Sequence, residues 1–181
     1  MQATYVDIRR KRISMPIHGQ KRTKYPRGMS SQMGFSFKKS FIVGWGDCAP
    51  SGAVYYPNYF RWFDQSVWDL FDAADLPIPA LEQKYGIVGL PLVNLSCSFR
   101  AVCRLRDRVT LETRIAAIEV KGFKIEHLVT RDGQELVAAS DERFWGVRPK
   151  NEPGRLRREA IPDEVIAHLK TAETRAAGIA R

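Results

Sequence analysis

The sequence predicts an α+β domain in which an antiparallel sheet wraps around one long central helix. Two observations carry this prediction: one strongly aromatic helical segment that begins at Pro57, and four later segments typical of strands. The 181 residues, with 44% apolar and 27% charged side chains, suit a single domain with tails. No apolar run approaches the ~18 residues of a membrane span, so we expect no membrane insertion.

The elements follow in order along the chain. Residues 35–43 resemble a strand, and residues 44–52 form a loop rich in Gly and Pro. Pro57 and Asn58 open the helix, which we expect to end before the two prolines at 77 and 79. Its apolar residues recur at three- and four-residue spacing: Tyr59, Phe60, Phe63, Val67, Leu70 and Phe71.

Only strands are predicted between this helix and the C-terminal region. They cover residues 90–99, 108–120, 123–130 and 135–147, with a hairpin turn at Asp132-Gly133. Pro162 is predicted to start a short terminal helix. The two longest strands, 108–120 and 135–147, would leave an unpaired edge in a lone subunit, which predicts an obligate oligomer.

The net charge of +9 lies mostly in one segment. Residues 1–34 hold eight basic residues and one acidic residue. Residues 35–150 hold fifteen basic and fourteen acidic residues, and residues 151–181 hold six basic and five acidic residues. We expect a flexible basic extension at 1–34, a domain at 35–150, and a linker with a C-terminal helix at 151–181. Because the domain itself is near neutral, nucleic acid is an unlikely partner. Binding through the tail is the weaker alternative, and it predicts strong salt dependence.

Three cysteines stand at 48, 97 and 103 without a CxxC motif. They predict neither a disulfide framework nor a zinc site, and we expect no metal or other cofactor. Scattered cysteines of this kind are typical of the reducing cytoplasm.

Two segments resemble a known family. GDCAPSGAVYYPNYFRWFD, residues 46–64, resembles the signature of the hotdog-fold thioesterases of the 4-hydroxybenzoyl-CoA thioesterase family, and YGIVGLPLVNLSCSF, residues 85–99, is similar to its second segment. The resemblance runs from about residue 35 to residue 169. It implies a hotdog fold, metal-free hydrolysis of acyl- or aroyl-CoA thioesters, and dimers or homotetramers with active sites between subunits.

The resemblance also implies roles for particular residues. The backbone N–H of Tyr56 would bind the oxyanion of the reaction, with Pro57 and Asn58 beside it at the helix start. Substrate-binding residues would be Pro57, Asn58, Gly89 and Lys121, with Lys121 in the segment that holds the nucleotide. Arg104 joins them because it lies in a run of arginines that could bind the phosphates of CoA. Each of these residues also has a purely structural explanation. Pro and Asn are common at the start of any helix, and Arg and Lys are common in solvent-exposed loops.

Position 49 departs from the family pattern. The family usually has its catalytic Asp where this chain has Ala49, and a methyl group is neither base nor nucleophile. Three interpretations stay open: a deliberately altered residue, an enzyme that uses another acid, or a protein that binds CoA thioesters without hydrolysing them. Thioester hydrolysis is the leading hypothesis, and the non-catalytic protein is the alternative.

Two carboxylates could replace the missing one. Asp47 shares the loop with Ala49, and a turn-capping role is favoured for it. Asp64 lies on the helix among aromatic residues, where a carboxylate is poorly explained by packing, and we weigh it as the more functional of the two. The alternative is an exposed helix face, because Arg61 and Gln65 flank Asp64. The resemblance gives Asp64 either the catalytic role or contact with the far polar group of an aromatic acyl unit. His127 is expected to be structural, and no close Asp/His pair of the dehydratase type is visible.

Overall fold

The structure is a computed structural model that describes residues 34–149 and 154–179. The predicted extension at 1–34 therefore lies outside the described residues except for Gly34. A five-stranded antiparallel sheet has the order β1-β3-β4-β5-β2, and a two-stranded ribbon pairs β6 with β7. The strands are β1 Ser36–Ile42, β2 Leu92–Phe99, β3 Arg108–Glu119, β4 Gly122–Arg131, β5 Gln134–Phe144, β6 Gly146–Val147 and β7 Arg157–Arg158.

Three α-helices accompany the sheet: α1 Tyr56–Ala73, α2 Ile78–Tyr85 and α3 Asp163–Ile179. Helix α1 lies against the concave face, as predicted, and contacts β1 and β3. Its buried side chains include Phe63 and Phe71, which are almost fully enclosed. Phe71 meets Phe123 of β4 edge-on, and Phe63 stacks on His127 of the same strand. Burial of such aromatic side chains supplies much of the apolar stabilisation of the core.

The structure corrects three expectations. Residues 78–85 form helix α2, although only strands were expected after α1. The expectation was wrong because Pro79 lies in the first turn of a helix and does not end one. The long strands β3 and β5 are each paired on both sides, so the sheet edges are β1 and β2. The terminal helix α3 is long, with 17 residues, and buries Val165 and Leu169.

The register brings polar residues onto the helix-facing side of the sheet. Thr113 pairs with His127 across β3 and β4, and Asp141 of β5 pairs with Ile125. No described helix is long and apolar enough to cross a membrane. Within the described ranges, no group of His, Cys, Asp or Glu side chains is arranged to hold a metal ion.

Candidate active site

The loop before α1 is braced by Asp47. Its carboxylate accepts a hydrogen bond from the Gly44 N–H at 3.1 Å and an ion-paired one from Arg61 at 2.6 Å. Its backbone carbonyl accepts from the N–H of Tyr55 and from the amide of Asn58, both at 2.9 Å. Both carboxylate oxygens are therefore engaged in holding the loop, which supports the capping role.

Ala49 begins a tight turn within this loop. Its N–H donates to the Ala53 carbonyl at 2.8 Å, and its carbonyl accepts from Gly52 at 2.9 Å. Gly52 has φ +75°, a left-handed conformation that glycine adopts without strain. The Ala49 methyl is half-buried on a well-ordered turn, so a larger side chain at 49 would also be held in a fixed position.

The start of α1 offers free backbone donors. Tyr56 and Pro57 occupy its first turn, as predicted. The N–H of Tyr56 has no carbonyl one turn earlier to bond, and the positive end of the helix dipole lies there. Tyr55 and Tyr56 are both more than half exposed, at 51% and 57%, so an incoming carbonyl oxygen has access to this end of the helix.

A groove of about 200 Å³ opens further along α1. Seven of its lining residues are apolar, and two are charged. The lining residues are Asp64, Val67, Trp68, Ile78, Val88, Leu90, Pro91, Leu92 and Arg143. A groove lined by apolar side chains together with a few placed polar groups is typical of a small-molecule site.

The two charged residues of the groove are bonded to each other. Arg143 Nη1 donates to Asp64 Oδ1 at 2.8 Å. The Asp64 side chain is 62% exposed, whereas that of Arg143 is 6% exposed. Asp64 is therefore exposed at the groove rim and is not buried among the aromatic residues, as the alternative of an exposed helix face predicts.

Behind the groove, a chain of hydrogen bonds runs through the core. We call Ser66, Thr113, His127, Asp141, Arg143 and Asp64 the polar network. Arg143 Nε donates to Asp141 Oδ2 at 2.9 Å, and His127 Nε2 lies 3.2 Å from the same oxygen. On its other side, His127 Nδ1 lies 2.9 Å from the Thr113 hydroxyl, which meets Ser66 of α1 at 2.5 Å. The two ends of the polar network, Ser66 and Asp64, both lie on α1.

Burial determines the protonation of His127. Desolvation lowers the pKa of His127 below its ordinary value, although its hydrogen bond to Asp141 acts in the opposite direction. The neutral ring carries one proton. A carboxylate only accepts hydrogen bonds, so we assign this proton to Nε2, and the Thr113 hydroxyl donates to Nδ1.

Comparison with known proteins gives a consistent result. Residues 43–169 match the thioesterase-like superfamily. The chain is 34% identical over 131 residues to 4-hydroxybenzoyl-CoA thioesterase from Pseudomonas sp. (strain CBS-3). The aligned residues cover 68% of this chain and 90% of that protein. The chain belongs to this superfamily.

Two solved structures are similar to this chain in three dimensions as well as in sequence. A mutant of 4-hydroxybenzoyl-CoA thioesterase complexed with 4-hydroxybenzoyl-CoA superposes with a TM-score of 0.69 and 31% identity, covering 75% of this chain and 99% of that one. A gentisyl-coenzyme A thioesterase has a TM-score of 0.63 and 28% identity, covering 72% and 99%. The expected hotdog fold of the thioesterase family is thereby confirmed.

In this thioesterase-family chain, the predicted site residues fall into two groups. Ala49, Tyr56, Pro57 and Asn58 surround the start of α1, and Arg104 lies beside them because its backbone bridges that of Ala53. Asp64 lies at the groove, eight residues and about 12 Å further along the helix. A single subunit therefore does not bring Asp64 to the Tyr56 N–H.

The other predicted contacts lie near the groove end of the fold. Gly89 has φ +63° in the connection that supplies Val88 and Leu90 to the groove. Lys121 is exposed at the turn between β3 and β4. The next residue, Gly122, packs so closely on β5 that a Cβ there would lie 2.3 Å from the Arg143 carbonyl oxygen.

The cysteines are not activated nucleophiles. Burial raises the pKa of Cys97 and the pKa of Cys103 to about 11 each. Cys48, next to Ala49, places its thiol 3.6 Å from the Gly44 carbonyl. The thiols of Cys97 and Cys103 are therefore poorly suited to attack a thioester.

The sequence analysis missed Arg143 and the pair of His127 with Asp141. The two partners are 14 residues apart and meet only through the register of β4 and β5. A signal was present: each of three strands carries a polar residue at an inward position of its two-residue alternation. This Asp/His pair is not a dehydratase-type site, because both side chains have 0% exposure and no substrate reaches them.

Proposed function

We propose that the protein hydrolyses acyl-CoA thioesters with an aromatic acyl group, using Asp64 as the general base. The observation that carries the proposal is the groove, which sets one exposed carboxylate at the rim of an apolar wall that includes Trp68 and Leu90. A flat aromatic ring fits such a wall better than a charged or strongly polar acyl chain does.

The chemistry needs few groups. Asp64 takes a proton from water as the water oxygen attacks the thioester carbonyl carbon. The oxyanion that forms accepts a hydrogen bond from the Tyr56 N–H at the positive end of α1. The C–S bond then breaks, the acyl group leaves as a carboxylic acid, and the CoA thiolate takes up the proton.

This mechanism requires two subunits. Since Tyr56 and Asp64 are about 12 Å apart along one helix, the oxyanion donor and the base of one site would come from different copies of the chain. The edge strand β2 supports a homo-oligomer, dimer or tetramer, because it exposes Leu92, Val93 and Phe99, each to about half. Arg104 beside the helix start and Lys121 would bind the phosphates of CoA.

Ala49 favours a second candidate function. The turn at 49–52 is well formed, yet it presents a methyl group where the family usually has its catalytic Asp. A protein that binds CoA thioesters without hydrolysing them would keep the groove and the helix start. The three unpaired cysteines support a location in the reducing cytoplasm for either function.

The test is a panel of acyl-CoA thioesters, with thiol release followed by a colorimetric reagent. We expect release from 4-hydroxybenzoyl-CoA and benzoyl-CoA, and slower release from hexanoyl-CoA. Binding of each compound is measured by calorimetry in parallel. Binding without thiol release would establish the second function, and the absence of both would reject the two together.

A further inference from the structure

We propose that Arg143 is a positioning residue, which fixes the Asp64 carboxylate at the groove and is itself held by the buried pair of Asp141 and His127. The inference rests on the proposed function and adds residues that the family resemblance does not supply. Arg143 is the only lining residue of the groove, as far as the structure describes it, that reaches both Asp64 and the core.

The geometry of the guanidinium supports this role. Nη1 binds Asp64 Oδ1 and Nε binds Asp141 Oδ2, so one planar group spans the rim and the buried carboxylate. Nη1 also lies 3.4 Å from the Leu90 carbonyl in the groove wall. No hydrogen bond from a described residue reaches Asp64 Oδ2, which leaves that oxygen for water or substrate. A side chain with 62% exposure would otherwise sample several rotamers.

The energetic cost of the network argues against a purely stabilising role. Asp141 and Arg143 are both buried, and Asp141 Oδ1 has no hydrogen-bond partner among the described residues. Replacing a buried ion pair by apolar residues is often neutral or stabilising. Buried charges are therefore more easily explained where they orient a functional group.

The charge balance also restricts the substrate. Asp141 already compensates Arg143, so the rim carries the unbalanced negative charge of Asp64. An acyl group that carries a carboxylate would be repelled from this rim.

The test compares Arg143→Lys with Asp64→Asn. Lysine keeps the charge that compensates Asp141, but its single ammonium group does not hold both carboxylates in a fixed plane. Asp64→Asn should lower kcat for 4-hydroxybenzoyl-CoA by about 10²–10⁴-fold, with smaller changes in KM and Kd, as expected for loss of the general base. We expect Arg143→Lys to change the same parameter in the same direction, and the double variant to be no worse than the worse single variant.

Arg114→Lys is the matched control, because Arg114 is equally buried and bonds Glu126 at 2.5 Å, but it does not line the groove. It should leave all three parameters unchanged. If Arg143→Lys does not fold, Arg143→Gln with Asp141→Asn removes both buried charges and takes its place.

Additive effects of the two substitutions, or an unchanged parameter in Arg143→Lys, would overturn the inference. So would an Asp64→Asn variant that hydrolyses and binds normally. In the first two cases the unsubstituted chain remains active and the proposed function stands, whereas normal hydrolysis by Asp64→Asn would also reject Asp64 as the base. An unsubstituted chain that neither binds nor hydrolyses the thioester rejects the proposed function itself.

Discussion

Lowering the pH below neutrality should destabilise the fold through His127. Its side chain is buried and its pKa is lowered by desolvation, whereas in the unfolded chain it returns to about 6.5. Between these two values the unfolded chain binds a proton that the native state does not. The contribution to stability is therefore complete above about pH 6.5 and is lost as the pH falls toward the native pKa.

The size of this effect follows from proton linkage. One proton bound only by the unfolded state lowers the free energy of unfolding by at most about 1.4 kcal/mol per pH unit, or about 2 kcal/mol between pH 6.5 and pH 5. For a domain of this size, that corresponds to a fall in Tm of about 4–8 °C.

Thermal unfolding followed by circular dichroism between pH 8 and pH 5 measures the slope. His127→Gln should lower Tm at pH 8 but remove most of the pH dependence above pH 5. His168→Gln is the matched control, since it leaves the His127–Asp141 pair intact and should retain the slope. A Tm that does not change over this range, or an equal slope in His127→Gln, would refute the assignment of a neutral buried imidazole.

Three further predictions concern the loop, the helix start and the assembly. Ala49→Asp should raise kcat for thioester hydrolysis by about 10²–10⁴-fold if the unsubstituted chain binds CoA thioesters without hydrolysing them, because the turn at 49 and the Tyr56 N–H are already in place; little or no gain is expected if Asp64 already serves as the base. Asp47→Asn should lower the free energy of unfolding by about 0.5–1 kcal/mol in urea titrations, through the lost and partly solvent-screened ion pair with Arg61, while leaving kcat within a few-fold. A kcat loss of a hundredfold without destabilisation would make Asp47 catalytic. Light scattering at micromolar concentration should show a dimer or tetramer, and a stable monomer would contradict the two-subunit site.

The central features of the fold were predictable from the sequence because they depend on strong local patterns. The spacing of Phe63, Val67 and Phe71 identified α1, and Asp132-Gly133 identified the hairpin between β4 and β5. Helix α2 was not predicted because a proline can end one helix and can also stand at the start of the next, as Pro77 and Pro79 do here. Local sequence does not distinguish these two uses.

The site was predictable only in part, for a different reason. Short-range motifs located Asp47, Ala49 and Tyr56, which lie in one loop and at the start of the helix that follows it. The contact of Arg143 with Asp64 joins residues 79 positions apart, and it depends on strand order and register. The exposure of Asp64 was also misjudged, because neighbours in sequence on a helix point to different faces.

The most direct test of the proposed function is the rate of thiol release from 4-hydroxybenzoyl-CoA by the unsubstituted chain and by Asp64→Asn. Asp72→Asn is the matched control, because Asp72 is an exposed carboxylate two turns further along α1 and does not line the groove. We predict measurable turnover by the unsubstituted chain and by Asp72→Asn, and a kcat lowered by about 10²–10⁴-fold in Asp64→Asn. Equal turnover in all three proteins, or none in any of them, would contradict the assignment of Asp64 as the base.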